Sequence, residues 1–108
     1  MSDALAEEWG VAIAVAQEAY GLTHWTFRAL VVEEILDGKG KPCQAYYMRM
    51  GKQWATVRLS RRDHWLPVLT LAYHELYHAL HDDCRGREEA LACRVSMALE
   101  RVRKFRET

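Results

Sequence analysis

Leu71-Ala72-Tyr73-His74-Glu75-Leu76-Tyr77-His78-Ala79-Leu80-His81 is the stretch on which the reading of this chain turns. It falls in an apolar helix predicted from about His64 to Asp83. Asp63 is the expected N-cap, and Pro67 sits in the first turn, where no intrahelical donor is lost. Within the stretch His74, Glu75 and His78 form the pattern HExxH. Positions i and i+4 lie about 40° apart around a helix and one turn apart along it. Both imidazoles then leave one face and can grip one metal ion. Zinc suits two nitrogen ligands in a tetrahedral shell. Glu75, beside the first histidine, can take the proton of a metal-activated water. Three fixed residues make a short motif, and a solvent-facing histidine pair with Glu75 as a surface charge reads the same way. The surroundings favour the metal. A strand hairpin comes directly before the motif, and a helix opening with acidic residues comes directly after.

Upstream, residues 24 to 36 read as a strand rich in aromatic and β-branched side chains. A turn follows at Asp37 to Pro42. Gln44 to Met50 is a second strand, and Gly51-Lys52 is the expected hairpin turn into a third, Gln53 to Ser60. In that third strand Ala55, Val57 and Leu59 share one face, and Trp54, Thr56 and Arg58 the other. Residues 3 to 20 form an N-terminal helix capped by Ser2 or Asp3, with Gly21 as the natural residue after its end. Downstream, Cys84-Arg85-Gly86 interrupts the pattern. A last helix runs from about Arg87 to Phe105 on a stripe of Leu91, Val95, Ala98, Leu99 and Val102. The predicted architecture is α+β: an N-terminal helix, a three-stranded, mainly antiparallel sheet, the HExxH helix and a C-terminal helix, with the helices on one sheet face. No repeat or linker divides the chain, so residues 1–108 are read as a single domain.

Composition narrows the function classes. The 108 residues carry 15 basic and 15 acidic side chains, for zero net charge. That balance speaks against a general nucleic-acid partner. It also leaves little electrostatic protection against self-association, so a homodimer or a partner protein is expected. With 50% hydrophobic and 28% charged residues the chain reads as globular, not disordered. The apolar run Val11 to Ala16 is too short to cross a bilayer, so no membrane partner is expected. The start lacks the basic region of a signal peptide. Three cysteines, Cys43, Cys84 and Cys93, cannot all pair within one chain, and a reducing cytoplasm is the expected setting.

The order of elements over about residues 24 to 102, with HExxH at His74, Glu75 and His78, resembles the zincin metallopeptidases, especially compact gluzincin-like proteins of the ImmA/IrrE type. The resemblance implies a minimal zincin-like core in which the helix after HExxH supplies a glutamate as third zinc ligand. Glu89 and Glu88 are the candidates. Glu88 points along the apolar stripe of Leu91, Ala92, Val95 and Leu99. Glu89 lies on the flank above the small residues Ala92, Cys93 and Ser96, where a wet cleft can form, and is preferred. Both also suit the first turn of a helix as plain solvated acids. The family places an acidic residue four positions after that glutamate, and Cys93 stands there instead. The implied activity is a small zinc-dependent metallopeptidase. His74, His78 and Glu89 hold Zn²⁺, Glu75 is the general base, and a peptide or protein, such as a transcriptional repressor, is the substrate.

Other residues compete for roles. His81 shares a face with His74 but stands about 10.5 Å along the axis, which suits a rim position better than ligation of the same ion. Cys84 or Cys93 could close a four-ligand structural zinc site with His74 and His78, giving a non-catalytic zinc-binding or partner-binding module. Tyr77, Tyr73, Tyr46, Tyr47 and Arg94 are candidates by type to stabilise an oxyanion, although each also reads as packing or solvated surface. Gln53 to Ser60, with Trp54 and Arg58, is the expected edge strand for an extended peptide. His24 and His64 are given no role. The basic run Arg101 to Arg106 reads as a solvated helix end.

Overall fold

The structure, a computed structural model, describes residues 3–84. Asp3 opens helix α1 (Ala4–Ala19), and its carboxylate accepts from the Leu5 and Ala6 amides at 3.1 and 3.2 Å. That satisfies donors which an uncapped first turn would leave open. The same carboxylate pairs with Arg61, just beyond the last strand. At the other end Leu22 N–H bonds Gln17 C=O and Gly21 N–H bonds Glu18 C=O, the paired closure of a Schellman motif. Gly21 has φ +70°, a conformation glycine adopts without a Cβ clash. Trp9, Ala12, Ile13 and Ala16 form the buried stripe of α1. The Trp9 indole Nε1 donates to the Val57 carbonyl at 2.9 Å, so α1 is pinned to the middle of the sheet.

Three strands follow: β1 (Thr26–Val32), β2 (Ala45–Gly51) and β3 (Trp54–Ser60). Their spatial order is β1-β3-β2, so β3 is central. β2 and β3 form the expected antiparallel hairpin, from Ala45↔Leu59 to Gly51↔Trp54, with an irregularity between Arg49 and Gly51. Gly51 stays in the ladder, and the turn lies at Lys52-Gln53, one residue later than expected. The β1 pairing differs from an all-antiparallel arrangement. β1 runs parallel to β3, from Thr26↔Trp54 to Val32↔Ser60. The class is α+β as expected, and the sheet is mixed. The connection from Glu33 to Gln44 makes this topology possible. It carries the chain past the end of β3, so that β2 starts on the far edge and the hairpin brings β3 back between the two. A Leu36↔Pro42 bridge closes the loop on itself, and Asp37 accepts from the Lys39 and Lys41 amides.

Helix α2 (Val68–Cys84) carries the HExxH pattern. It begins four residues later than expected, and Asp63 is not its cap. Asp63 instead exchanges hydrogen bonds with the Ser60 hydroxyl. The residue before a proline avoids the helical region, so Leu66 ends the extended approach and Pro67 C=O receives the first helical bond, from Leu71 N–H. Val68, Leu71, Ala72, Leu76 and Ala79 bury against α1 and the sheet. Tyr20 and Tyr73 meet edge to face at 5.6 Å, and the Tyr20 hydroxyl donates to the Tyr73 carbonyl. The core therefore lies between the two helices and the face bearing Ala55, Val57 and Leu59. The expected C-terminal helix, with Glu88, Glu89, Cys93 and Arg94, lies outside the described residues, and so does the Cys84 side chain.

Candidate metal centre

The period of α2 separates three roles within six residues. Leu76 and Ala79 point into the core, whereas His74 and His78 are exposed. Their rings sit edge to face with centroids 5.7 Å apart. Two imidazoles one turn apart on a wet helix face are a ready bidentate nitrogen pair. Glu75, one residue round the helix, turns inward and is only 6% exposed. Burial pushes its carboxyl up to about 7, partly offset by a hydrogen bond from the Tyr47 main chain. A carboxyl poised near neutrality beside two histidines is suited to take up and return protons.

The strand β2 supplies the other wall. The Tyr47 ring stacks on His78 with centroids 5.9 Å apart, and its hydroxyl donates to Asp82 Oδ2 at 2.8 Å. Burial and the Asp82 bond together push the Tyr47 phenol well above its ordinary value, so it stays a donor. Partial burial, with His74 nearby, holds the His78 imidazole below its usual value. The ring is then neutral near pH 7, the form that can donate an electron pair to a metal.

Beside His74 and Glu75 opens a cleft of about 200 Å³, walled by Gln44, Ala45, Leu66 and Leu71. Gln44 Oε1 accepts from both the Trp65 and Leu66 amides at 3.0 Å, which holds the loop before α2 against the start of β2. A larger groove, about 480 Å³, runs between α1 and the start of α2, but it contains no histidine.

Several sequence expectations meet this geometry differently. His74, Glu75 and His78 do stand together, and His81 follows on the same flank against the Tyr77 ring at 6.5 Å. Among the described residues no group of three or more metal-ligating side chains assembles. The chosen third ligand, Glu89, and its rival Glu88 lie outside those residues. β3 is not the edge strand expected for a peptide, because β1 and β2 occupy both its sides. Trp54 and Arg58 point away from the helices and cannot reach the cleft. The edge beside α2 is β2 instead. Of the tyrosines proposed for an oxyanion, Tyr73 is buried between the helices and Tyr46 faces the opposite side of the sheet. Tyr77 and Tyr47 remain next to His78. His24 and His64 have structural partners, Asp83 and the Ser60 carbonyl.

Asp82 and Gln44 were missed. Asp82 follows His78 at i+4, a spacing that places an acid on the histidine face and was open to reading. Nothing local marks Gln44, whose part depends on β2 meeting the loop before α2.

No helix among the described residues is long and apolar enough to cross a membrane. No protein-family model, no curated protein and no solved structure matches this chain.

Proposed function

We propose that the protein is a small zinc-dependent peptidase, with His74 and His78 as two ligands, Glu89 as the third and Glu75 as general base. The observation that carries this reading is the pairing of two exposed imidazoles 5.7 Å apart with a buried neighbouring carboxyl on the same helix. The donor set fits the ion: two imidazole nitrogens from one helix turn leave room for a carboxylate and one open position. A bound zinc ion would supply Lewis acidity to the scissile carbonyl and to water. Glu75 would accept the water proton and return it to the leaving amine. A peptide backbone would run along the free edge of β2, with one side chain in the cleft bounded by Leu66 and Leu71. The odd cysteine count, with Cys43 a free thiol, supports a cytoplasmic setting.

The test is zinc content and peptidase activity of the full chain, compared across variants. Glu75→Gln should keep the zinc and lose turnover. Glu89→Ala should lose the zinc, while Glu88→Ala keeps it. Zinc lost in Cys84→Ser or Cys93→Ser, with no hydrolysis by the parent protein, would identify a structural site and overturn the peptidase.

A further inference from the structure

The helices cover one face of the sheet, and among the described residues no helix covers the other: the loop at Ile35 and Leu36 lies over one end, and Thr56 in the middle is 6% exposed. Strand register places Leu30, Arg58 and Tyr46 in one row across that face and Arg28, Thr56 and Met48 in the next. Trp54 and Met50 follow at its far end. Tyr46, Met50 and Trp54 are 45%, 49% and 42% exposed, which is large for aromatic and thioether side chains in strands. The two arginines lie on adjacent strands, and neither has an ion pair among the described residues. No strand position on this face is acidic. The nearby acids are engaged elsewhere: Glu33 with Arg61, Glu34 with Arg62, and Asp37 with amides of its own turn. At one end a cleft of about 340 Å³ opens between Tyr46, Met48 and Arg58 and the loop at Ile35 and Leu36.

We propose that this open sheet face docks an acidic, amphipathic segment of a partner protein. Tyr, Trp, Met and Arg are the residue types that concentrate at protein interfaces, and methionines adapt to irregular apolar partners. Two guanidiniums without an ion pair among the described residues, flanking an apolar strip, select carboxylates on either side of an apolar stripe. Charge also favours an acidic partner over the chain's own remainder as the occupant. Residues 85–108 hold seven basic and four acidic side chains, the same sign as the face. A nucleic acid fits less well, because the strands of this face carry only two cationic groups and no lysine to meet a phosphate backbone. This inference stands apart from the zinc reading, since it uses none of the residues around His74.

The test uses the full chain with three probes: a short Leu/Glu amphipathic helical peptide, its Leu/Lys counterpart and an oligothymidylate. Backbone amide shifts locate binding, and a titration measures it. The Leu/Glu peptide should bind, with shifts concentrated on β1, β2 and β3. The double substitution R28E/R58E should weaken it about tenfold or more and gain affinity for the Leu/Lys peptide. Gain of the opposite peptide separates recognition from simple misfolding. Failure of the Leu/Glu peptide to bind, shifts confined to other surfaces, or indifference to the charge swap would each overturn the proposal. So would preference for the oligothymidylate, which would assign the face to nucleic acid. Self-association of the parent chain abolished by R28E/R58E would assign it to a second copy.

Discussion

Tyr47 ties two elements together at His78: its ring lies 5.9 Å from the imidazole, with the planes 25° apart, and its hydroxyl is bonded to Asp82 one turn further along α2. An edge strand thereby sets the orientation of a helix side chain. Substitutions at Tyr47 should separate the two contacts. Tyr47→Phe keeps the ring and loses the bond to Asp82, so zinc affinity should fall a few-fold. Tyr47→Ala removes both, and a loss of about 10- to 100-fold is expected, the range for groups that orient a ligand. Competition with a chromogenic chelator measures both, and equal losses would show that the ring contact does nothing.

Glu75 makes the metal-free protein sensitive to pH. Its folded pKa of about 7 lies above the ordinary 4.5, so between those values the folded state holds the extra proton. Stability should therefore fall as pH rises from about 4.5 to 7, by at most about 3 kcal/mol. Denaturant unfolding in excess chelator checks this. Glu75→Gln should flatten that part of the profile and be more stable than the parent at pH 8.

Asp83 acts in the opposite sense. Hydrogen bonds from His24 and from the Trp25 indole, both 3.0 Å, hold its carboxyl below the ordinary 3.8. The stabilisation is present above that value and is lost as pH falls through the lower folded pKa. Asp83→Asn should thus cost stability at pH 6 and little at pH 2. Because the pair is partly exposed, salt should shrink the difference. Thermal melts at both pH values, with and without added salt, decide it.

Trp9 is the anchor of α1. Trp9→Phe keeps most of the apolar contact but loses the Nε1 bond to the Val57 carbonyl, at a cost of about 1–2 kcal/mol. Trp9→Ala should cost about 3–5 kcal/mol, because the site is fully buried and cannot collapse easily. Urea midpoints measure the two. A small effect of the alanine variant would mean that α1 is not part of the folding core.

Zinc ligation by Glu89 can be checked without any substrate. Cobalt substituted into the parent chain should give the visible spectrum of a four-coordinate centre, and Glu89→Ala should change its intensity and weaken binding. An unchanged spectrum would remove Glu89 from the ligand set.

Much of the molecule is written in local pattern. The Asp3 cap, the stripe Trp9-Ala12-Ile13-Ala16, Gly21 after α1 and the alternation of Ala55, Val57 and Leu59 each depend on neighbours within a few residues. Helix and strand periods encode such features directly. The meeting of His74 and His78 is of the same kind, since one turn of helix brings i and i+4 together whatever surrounds them. α2 starts later than the pattern predicts for an equally local reason, because Pro67 restricts Leu66 and this outweighs Asp63 as a cap.

Strand order was beyond local reading. The residues of β1 pair as readily parallel as antiparallel, and only packing against α1 and the length of the Glu33–Gln44 connection put β3 in the centre. From that one choice follow the free edge of β2, the contact of Tyr47 with Glu75 and His78, and the open face carrying Arg28 and Arg58. The sequence by itself determined which side chains share a helix or strand face, because those periods are properties of the backbone. Tertiary structure alone decided which faces meet, because burial of apolar surface sums over residues distant in the chain.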